Sequence, residues 1–129
     1  MYFFFQFTGQ WAKKTGLEHN QNVLNGTGMS MSSELKYKLA NKVVFQKVKA
    51  ALGVQKCKSF FVAAAPISNE TLAYFMSLDI RIFDIYGMSE CSGPQTFNSK
   101  EYQKLGSIGR TMPGSQTKIS TVGDGEEDR

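Results

Sequence analysis

Two short apolar runs with one short helix between them constrain the fold of this 129-residue chain more than any other feature. The first run begins at Ser59 and is predicted to be a buried strand that ends near Ala64, because the residue before a proline is pushed toward extended geometry. The second run spans Ile80–Ile85, where β-branched and aromatic residues predict a buried strand. Ser68 can cap a helix over Asn69–Leu78 between the two runs. Because such a helix is the crossover of a parallel strand pair, the sequence predicts an α/β fold.

The segments that follow the two strands are expected to lie close together. In a strand–helix–strand unit both strands finish at the same edge of the sheet, and ligands bind outside those ends. The first segment, Ala63-Ala64-Ala65-Pro66, is small enough to leave room for a flat group against the backbone. The second, Tyr86-Gly87-Met88-Ser89-Glu90, offers a ring face, a glycine for a sharp turn, a hydroxyl and an anionic oxygen. The two segments together predict a binding site.

Two other interpretations of the second segment compete with a binding site. Tyr86 can instead be a core aromatic residue, and Ser89-Glu90 can simply begin a helix, since serine followed by an acid is ordinary capping chemistry. Cys91 is expected to be a packed thiol and not a nucleophile, because no histidine accompanies it. The run Gly87-Met88-Ser89-Glu90-Cys91 also lacks the final glycine of the hydrolase nucleophile elbow, which argues against that class of enzyme.

The amino-terminal half predicts two helices joined by a loop. The first helix is expected to end at Gly16, and residues 17–32 are rich enough in Asn, Gly, Thr and Ser to predict a loop in which His19 is solvated. The pair Ser32-Ser33 can cap a second helix, which Gly53 is expected to end. The apolar residues at helical spacing in this second helix are Leu35, Leu39, Val43, Val44, Val48, Ala51 and Leu52.

The carboxy-terminal part predicts a glycine-rich turn, a strand and a tail. The turn covers residues 105–114, and it lacks both the Lys-Ser/Thr of a P-loop and the third glycine of the dinucleotide fingerprint. The alternating pattern from Ser115 to Val122 predicts a strand. Residues 123–129 are acidic and rich in glycine, which predicts disorder and places the end of the domain at residue 122.

The net charge of +4 is distributed unevenly. Residues 1–58 carry nine lysines against two glutamates, whereas residues 59–129 carry six basic and nine acidic residues. Because the lysines are spaced and not clustered, a solvated helix face is favoured and no nucleic-acid partner is predicted. Contact of the basic half with phosphates, nucleic acid or an anionic membrane face is the alternative.

The cysteines and the amino-terminal segment indicate the cellular compartment of the protein. Cys57 and Cys91 form no CxxC pattern, and His19 is the one histidine, so neither a zinc site nor a secreted disulfide scaffold is expected. Reduced thiols are typical of a cytoplasmic protein. The aromatic segment Met1–Phe7 has neither the form of a signal peptide nor the length of a membrane span. A core-facing segment is expected there, with peripheral membrane contact as the alternative.

Three blocks of the sequence, in this order, resemble motifs of the adenylate-forming enzymes. Ala63-Ala64-Ala65-Pro66-Ile67-Ser68 resembles the small-small-Ala-Pro-Leu-Ser segment of that superfamily, and Tyr86-Gly87-Met88-Ser89-Glu90 resembles its Tyr-Gly-x-Thr/Ser-Glu motif. Residues 106–114 resemble its Gly-x-x-Gly-x-x-x-Pro-Gly turn. From about Trp11 to Ile119 the chain is most similar to long-chain acyl-CoA synthetases of the bubblegum type. The resemblance implies that residues 1–122 are part of the large amino-terminal adenylation domain of such an enzyme, with parallel strands and flanking helices.

The resemblance also implies a reaction and a set of roles. The parent enzyme joins a long-chain fatty acid to ATP, releases pyrophosphate, and transfers the acyl group to coenzyme A. By this resemblance Ala63–Pro66 lie along the adenine, Asp84 and Ile85 contact it through the backbone, and Tyr86 stacks on it. The segment Gly87-Met88-Ser89 belongs to the same nucleotide site, where the serine hydrogen-bonds a phosphate oxygen. Glu90 is the expected Mg²⁺ ligand, consistent with the preference of that hard cation for carboxylate and phosphate oxygens.

Several parts of the superfamily pattern do not occur in these 129 residues. The sequence contains no Ser/Thr/Gly-rich phosphate loop with a lysine, no later Thr-Gly-Asp segment, and no lid with a catalytic lysine. The expectation is therefore an interior piece of a longer ligase that is inactive by itself. The alternative is a catalytically inactive nucleotide-binding or regulatory truncated isoform.

Overall fold

The computed structural model describes residues 2–118, with side chains from Thr8 onward. Its described elements are helices α1 (Tyr2–Asn25), α2 (Met31–Ala40), α3 (Gln46–Ala51) and α4 (Asn69–Ser77), and strands β1 (Phe60–Val62), β2 (Ile82–Met88), β3 (Gly93–Phe97) and β4 (Arg110–Thr111). A π-helical segment, Asn41–Phe45, joins α2 to α3, and a 3-10 turn, Ser89–Cys91, joins β2 to β3. The strands form one sheet in the order β1-β2-β3-β4. The predicted α/β class is confirmed.

The strand–helix–strand unit forms as predicted. β1 and β2 are parallel, with Phe60 opposite Ile82 and Val62 opposite Asp84. Ser68 caps α4, because its hydroxyl oxygen accepts a hydrogen bond from the Thr71 backbone N–H at 3.1 Å. The other strand pairs, β2 with β3 and β3 with β4, are antiparallel. The sheet is therefore mixed, and its parallel part is the β1–β2 pair.

The prediction that the first helix ends at Gly16 was wrong. α1 continues to Asn25 and ends where Gly26 takes a φ of +64° and Thr27 N–H donates to the Asn22 carbonyl oxygen at 3.0 Å. Gly16 is buried where α1 crosses α4, and a Cβ there would overlap the Ser77 carbonyl oxygen. The glycine thus serves close helix packing and not helix termination.

His19 was also misplaced by the loop prediction, because residue 19 lies on α1 and is half-buried. Its ring stacks on Tyr37 with centroids 3.6 Å apart and planes 9° from parallel. Its Nδ1 is buried with no hydrogen-bond partner among the described residues. Burial lowers the pKa of His19 below 6.5, and the nearby Asp79 carboxylate offsets part of that shift.

The second predicted helix differs in its start and in the face that it buries. Its N-cap is Ser30, two residues before the expected serine pair, and Gly53 ends it as predicted with a φ of +72°. Ala40 and Phe45 are fully buried, whereas Leu35 and Leu39 are 68% and 56% exposed. The described chain packs α1 against the side of this helix that carries Tyr37, Ala40 and Phe45, so most of the predicted apolar stripe faces outward.

An ionic cluster joins the helices to the start of β2. Asp79 takes a φ of +60° directly after α4, where Ile80 N–H donates to the Phe75 carbonyl oxygen. Its carboxylate accepts hydrogen bonds from Lys49 at 2.6 Å and from the Tyr37 hydroxyl at 3.0 Å. Burial and this carboxylate raise the pKa of Tyr37.

The strands differ from the sequence prediction in three respects. β1 is half-exposed and not buried, since Phe61 is 56% exposed. β2 extends to Met88, beyond the expected end at Ile85. Residues 115–118 are not in a strand, while residues 119–122 and the acidic tail 123–129 lie outside the described residues. Among residues 2–118, no helix combines the length and hydropathy required to span a bilayer.

Gly16 and Gly9 provide a matched test of the α1–α4 packing. We expect Gly16→Ala to lower the free energy of unfolding by about 1–3 kcal/mol, because the added methyl group overlaps backbone that cannot easily move. Gly9→Ala, where no described atom beyond the neighbouring helix backbone lies within 4 Å of the new Cβ, should raise it by about 0.5–1 kcal/mol. Urea denaturation followed by circular dichroism measures both. Equal effects of the two substitutions would contradict the packing role.

The half-buried ring of His19 predicts that the stability of the fold depends on pH. A histidine whose folded pKa lies below its unfolded value of 6.5 stabilises the fold above that pH, and this stability is lost as the pH falls. We expect the free energy of unfolding to decrease as the pH falls below about 6.5. His19→Phe, which keeps the stacked ring, should flatten that slope. An unchanged slope would assign the effect to other groups.

Candidate functional site

The Tyr-Gly-Met part of the predicted site lies in a strand and not in a turn. Tyr86, Gly87 and Met88 are the last three residues of β2 and pair with β3. The chain turns only at Ser89–Cys91, and Ser92 then takes a φ of +58° before β3 begins at Gly93. The site is therefore a β-hairpin whose tip carries the serine and the glutamate.

Gly87 is required by the hairpin itself. The register shifts between Tyr86 and Gly87, and Gly87 lies opposite Pro94. A Cβ on Gly87 would overlap the carbonyl oxygen of Gly93 and lie 2.8 Å from the Pro94 Cα. The glycine thus permits two strands to approach closely at a bulge, which gives it a structural role whatever the hairpin binds.

The side chains at the end of the hairpin are open to solvent. Tyr86 is 41% exposed and Met88 is 40% exposed, so the core-aromatic interpretation of Tyr86 does not apply to this chain. Ser89 and Glu90 are exposed at the start of the 3-10 turn, which is three residues long and not a full helix. Cys91 is exposed as well, so the expectation of a packed thiol was wrong.

The alanine segment continues from β1 at the same edge of the sheet. Residues 63–66 are all exposed, and Ala64 takes a φ of +76°. That conformation costs a residue with a Cβ roughly 1–2 kcal/mol, and such strain is concentrated at functional turns. The parallel register, with Val62 opposite Asp84, brings this segment alongside the last part of β2.

Asp84 and Ile85 form the half-buried part of the candidate site. The Asp84 carbonyl oxygen accepts a hydrogen bond from the Asn98 backbone N–H at 2.9 Å. Burial raises the pKa of the Asp84 carboxyl, and hydrogen bonding from its own backbone offsets part of the shift. The backbone at the centre of β2 is thus held by strand pairing on both sides.

The glycine-rich turn over residues 105–114 forms as predicted. Gly106, Gly109 and Gly114 all have positive φ, and β4 lies between the last two. A Cβ on Gly109 would overlap the Phe97 carbonyl oxygen, so this glycine brings the turn against β3. Asn98, which is 1% exposed, fixes the turn by donating from Nδ2 to the Ser107 carbonyl oxygen at 2.6 Å. Sequence analysis missed Asn98, because one polar residue after a strand follows no recognisable pattern.

The candidate site offers few carboxylate ligands to a metal ion. Within residues 2–118 no group of three or more His, Cys, Asp or Glu side chains converges on a point where a metal could bind. Glu90 presents an exposed carboxylate at the hairpin tip. A site of this kind suits Mg²⁺ only when a bound ligand supplies further oxygen atoms, which is the usual arrangement for Mg²⁺ with phosphates.

Comparison with known proteins supports the resemblance seen in the motifs. The family model described as AMP-binding enzyme matches residues 11–128. A long-chain-fatty-acid–CoA ligase, ACSBG2, of Xenopus laevis is 44% identical over 109 residues, which are 84% of this chain and 14% of the relative. The ACSBG2 protein of Gallus gallus is 42% identical over 109 residues with the same coverage. ACSBG1 of Bos taurus is 39% identical over 112 residues, again covering 84% of this chain and 14% of the relative.

The chain therefore spans about one seventh of the length of these curated relatives. No solved structure matches it significantly. The family match nevertheless covers well over half of the 129 residues and includes all three motif blocks. The helices and the four-stranded sheet are consistent with part of an AMP-binding domain. This chain belongs to the family of AMP-binding enzymes.

Proposed function

We propose that this chain forms the adenine- and Mg²⁺-binding part of a long-chain fatty acid–CoA ligase. The observation that carries the proposal is the parallel pairing of β1 and β2, because it brings the two motif segments to one edge of the sheet. The names of the three relatives cited above supply the reaction: all three are long-chain-fatty-acid–CoA ligases. Long-chain fatty acid, ATP and coenzyme A are thus the proposed substrates of the longer enzyme.

The exposed groups support distinct roles in nucleotide binding. We assign the Tyr86 ring to stacking on the adenine, since a partly exposed aromatic face at a strand end is available to a flat base. The small side chains of residues 63–65 and Pro66 leave room along the other edge of the base. The backbone of Asp84 and Ile85 provides the inner boundary, and Gly87 and Met88 continue it toward the hairpin tip.

The hairpin tip is assigned to the phosphates. The Ser89 hydroxyl can donate a hydrogen bond to a phosphate oxygen, and the Glu90 carboxylate can bind Mg²⁺ together with phosphate oxygens. When bound, the cation would offset negative charge as the fatty carboxylate attacks the α-phosphorus. This chain contributes by holding the Ser89 hydroxyl and the Glu90 carboxylate at the end of a hairpin whose register Gly87 fixes.

The proposed setting is the cytoplasm, with peripheral contact to membranes. Both cysteines are free and exposed, which suits a reducing compartment. A long-chain fatty acid partitions into membranes, so a ligase acting on it would work near a bilayer surface.

A nucleotide-binding or regulatory chain without catalysis is the second candidate. The sequence offers Ser89 and Glu90 to the triphosphate but contains no lysine-bearing phosphate loop. A chain with these features could bind a nucleotide weakly, or bind a full-length partner, without completing the reaction. Nucleotide binding and turnover are therefore tested separately.

Tyr86 provides the test of nucleotide binding. We expect Tyr86→Ala to weaken binding of ATP to the purified chain at least about fivefold, because stacking of a base on an aromatic ring contributes ~1–3 kcal/mol. Tyr86→Phe should bind within about twofold of the unchanged protein, since stacking uses the ring face and not the hydroxyl. Titration calorimetry measures all three proteins.

The matched control is Tyr74→Ala, which removes another exposed tyrosine, on α4. It should leave the ATP affinity unchanged. Equal losses from Tyr86→Ala and Tyr86→Phe, or from Tyr86→Ala and Tyr74→Ala, would remove Tyr86 from the stacking role.

Turnover is tested by fatty-acid-dependent exchange between ATP and pyrophosphate. We expect the purified 129-residue chain to exchange at least about 1000-fold more slowly than full-length ACSBG2 of Xenopus laevis, because loss of even one preorganised electrostatic donor typically costs about 10²–10³ in rate. Exchange at a rate similar to that of the full-length relative would show that Ser89 and Glu90 suffice. It would also exclude the non-catalytic candidate.

A further inference from the structure

Helix α2 and the π-helical segment after it carry a row of exposed apolar side chains. Met31, Leu35, Leu39 and Val43 recur at every fourth position and are 84%, 68%, 56% and 44% exposed. Because side chains four residues apart are neighbours on a helix, these four form one continuous row, which we call the α2 row. Contiguous apolar surface of this kind marks a place where a protein binds something else.

The α2 row lies on the side of the helix that faces away from the core. An α-helix turns about 100° per residue, which puts Tyr37 about 160° and Ala40 about 140° from Leu35 around the axis. Tyr37 stacks on His19 of α1, and Ala40 is fully buried in one cluster with Ala12 of the same helix. The helix is thus apolar on two sides, and packing within the described chain uses only one of them.

Exposed lysines border the α2 row on both sides. Lys38 lies about 60° from Leu35 in one direction around the helix axis, and Lys36 lies about 100° from it in the other. Lys42 is exposed in the π-helical segment. The long stem of a lysine can cover apolar surface while its ammonium group stays in a polar medium. The α2 row is therefore an apolar strip between cations.

The whole helical segment has a positive charge balance. Residues 31–51 contain five lysines and one acidic residue, Glu34. Glu34 pairs with Lys38 at 2.9 Å, and Lys49 pairs with Asp79 at 2.6 Å. The other three lysines of the segment form no ion pair with a described residue. Unpaired cations beside an apolar row are complementary to an anionic surface with an apolar layer beneath it.

A lipid bilayer with anionic headgroups has both of these properties. Helices that lie flat on a bilayer place their apolar side chains about 5–10 Å into the boundary between headgroups and acyl chains, with lysines at headgroup level. Each lysine near an anionic leaflet contributes about 1 kcal/mol to binding. A protein partner fits less well, because a stable protein interface takes roughly 20–30 residues from each side and the α2 row has four.

We propose that the α2 row and its bordering lysines form a docking surface for an anionic lipid bilayer. The four apolar side chains enter the headgroup boundary, and the lysines bind the anionic headgroups. The inference rests on the proposed function only in that it gives a surface and a lipid charge to the membrane contact proposed there. Its tests use neither ATP nor a free fatty acid, so either proposal can fail without the other.

Cosedimentation of the purified chain with vesicles tests the lipid charge. Vesicles made of equal amounts of phosphatidylcholine and phosphatidylserine should bind the chain at least about tenfold more tightly than vesicles of phosphatidylcholine alone, because several lysines face the headgroups. The difference should shrink at high salt, which screens exposed charges. Equal binding to both kinds of vesicle, or no binding to either, would overturn the proposal.

The apolar row is tested by Leu35→Gln/Leu39→Gln. This double variant should weaken binding to the mixed vesicles at least about tenfold, because two inserted side chains become polar. Since both residues are exposed, circular dichroism should show an unchanged fold. The control, Phe61→Gln/Ile108→Gln, removes two apolar side chains that are exposed elsewhere and should change affinity less than about twofold. Equal weakening by both double variants would reduce the effect to general adhesion and contradict the site.

The bordering cations are tested in the same way. Lys36→Gln/Lys42→Gln should weaken binding to the mixed vesicles at least about tenfold, since each lysine near the leaflet contributes about 1 kcal/mol. The control, Lys100→Gln/Lys104→Gln, makes the same change of net charge at two exposed lysines outside the helical layer. It should change the affinity by less than about threefold. Equal effects of the two double variants would assign the binding to net charge and remove the α2 row from it.

An environment-sensitive fluorescent label locates the surface directly. The label is attached at Leu35→Cys in a chain whose two exposed cysteines are replaced, Cys57→Ser/Cys91→Ser. Mixed vesicles should shift its emission to the blue, because the label enters the acyl boundary. The same label at Ile108→Cys should not shift. Shifts at both positions, or at Ile108→Cys alone, would contradict docking through α2.

Two other partners of the α2 row are separated by the same variants. If Leu35→Gln/Leu39→Gln dissolved an oligomer seen by sedimentation while the unchanged chain bound no vesicles, the row would belong to a second copy of the chain. If duplex DNA bound as tightly as the mixed vesicles and the leucine variant did not alter that binding, the surface would be a nucleic-acid site. Either result overturns the proposal, and saturable binding of a monomeric chain to anionic vesicles is the expected one.

Discussion

The Asp79 carboxylate connects the helical layer to the sheet. The Asp79 backbone takes a left-handed conformation just after α4. Its carboxylate accepts one hydrogen bond from Lys49 of α3 at 2.6 Å and another from the Tyr37 hydroxyl of α2. Asn20 of α1 also donates to it, and to the carbonyl oxygen of Met76 in α4. Because one short side chain contacts all four helices or their ends, the start of β2 is fixed relative to them. These contacts thus tie β2, and the hairpin that it carries, to the helical layer.

The fixed start of β2 gives the sheet two edges of different chemistry. At the carboxyl end of β2, a hairpin presents Tyr86 and Glu90 to solvent, and a bulge at Gly87 sets its register. At the other end, loops before β1 and after β3 bring Lys58 and Lys100 to one cavity. The first edge offers one ring and one carboxylate, which suits a base and a cation. The second offers cations and aromatic rings.

Much of the unit around the first edge could be predicted from local signals. The proline after the alanines, the Ser68 cap and the two apolar runs each act over a few residues, so strand, helix, strand and their parallel order followed from the sequence. The motif positions followed from the resemblance, which the family match confirms. The length of β2 did not, because Tyr86 to Met88 are in a strand only through pairing with β3. The solvent exposure of the side chains could not be predicted from the sequence either, since it depends on which other parts of the fold cover each residue.

By itself, then, the sequence determined the α/β class, the strand–helix–strand unit, the glycine turn and the family, because capping, proline geometry and motif spacing are properties of adjacent residues. Only the tertiary structure decided that Gly16 is a packing contact, that His19 stacks on a tyrosine and that α1 extends to Asn25. It also brought Lys58 and Lys100 together across the sheet edge. These features join residues far apart in the chain, and their energies depend on close approach and burial, which no local pattern encodes.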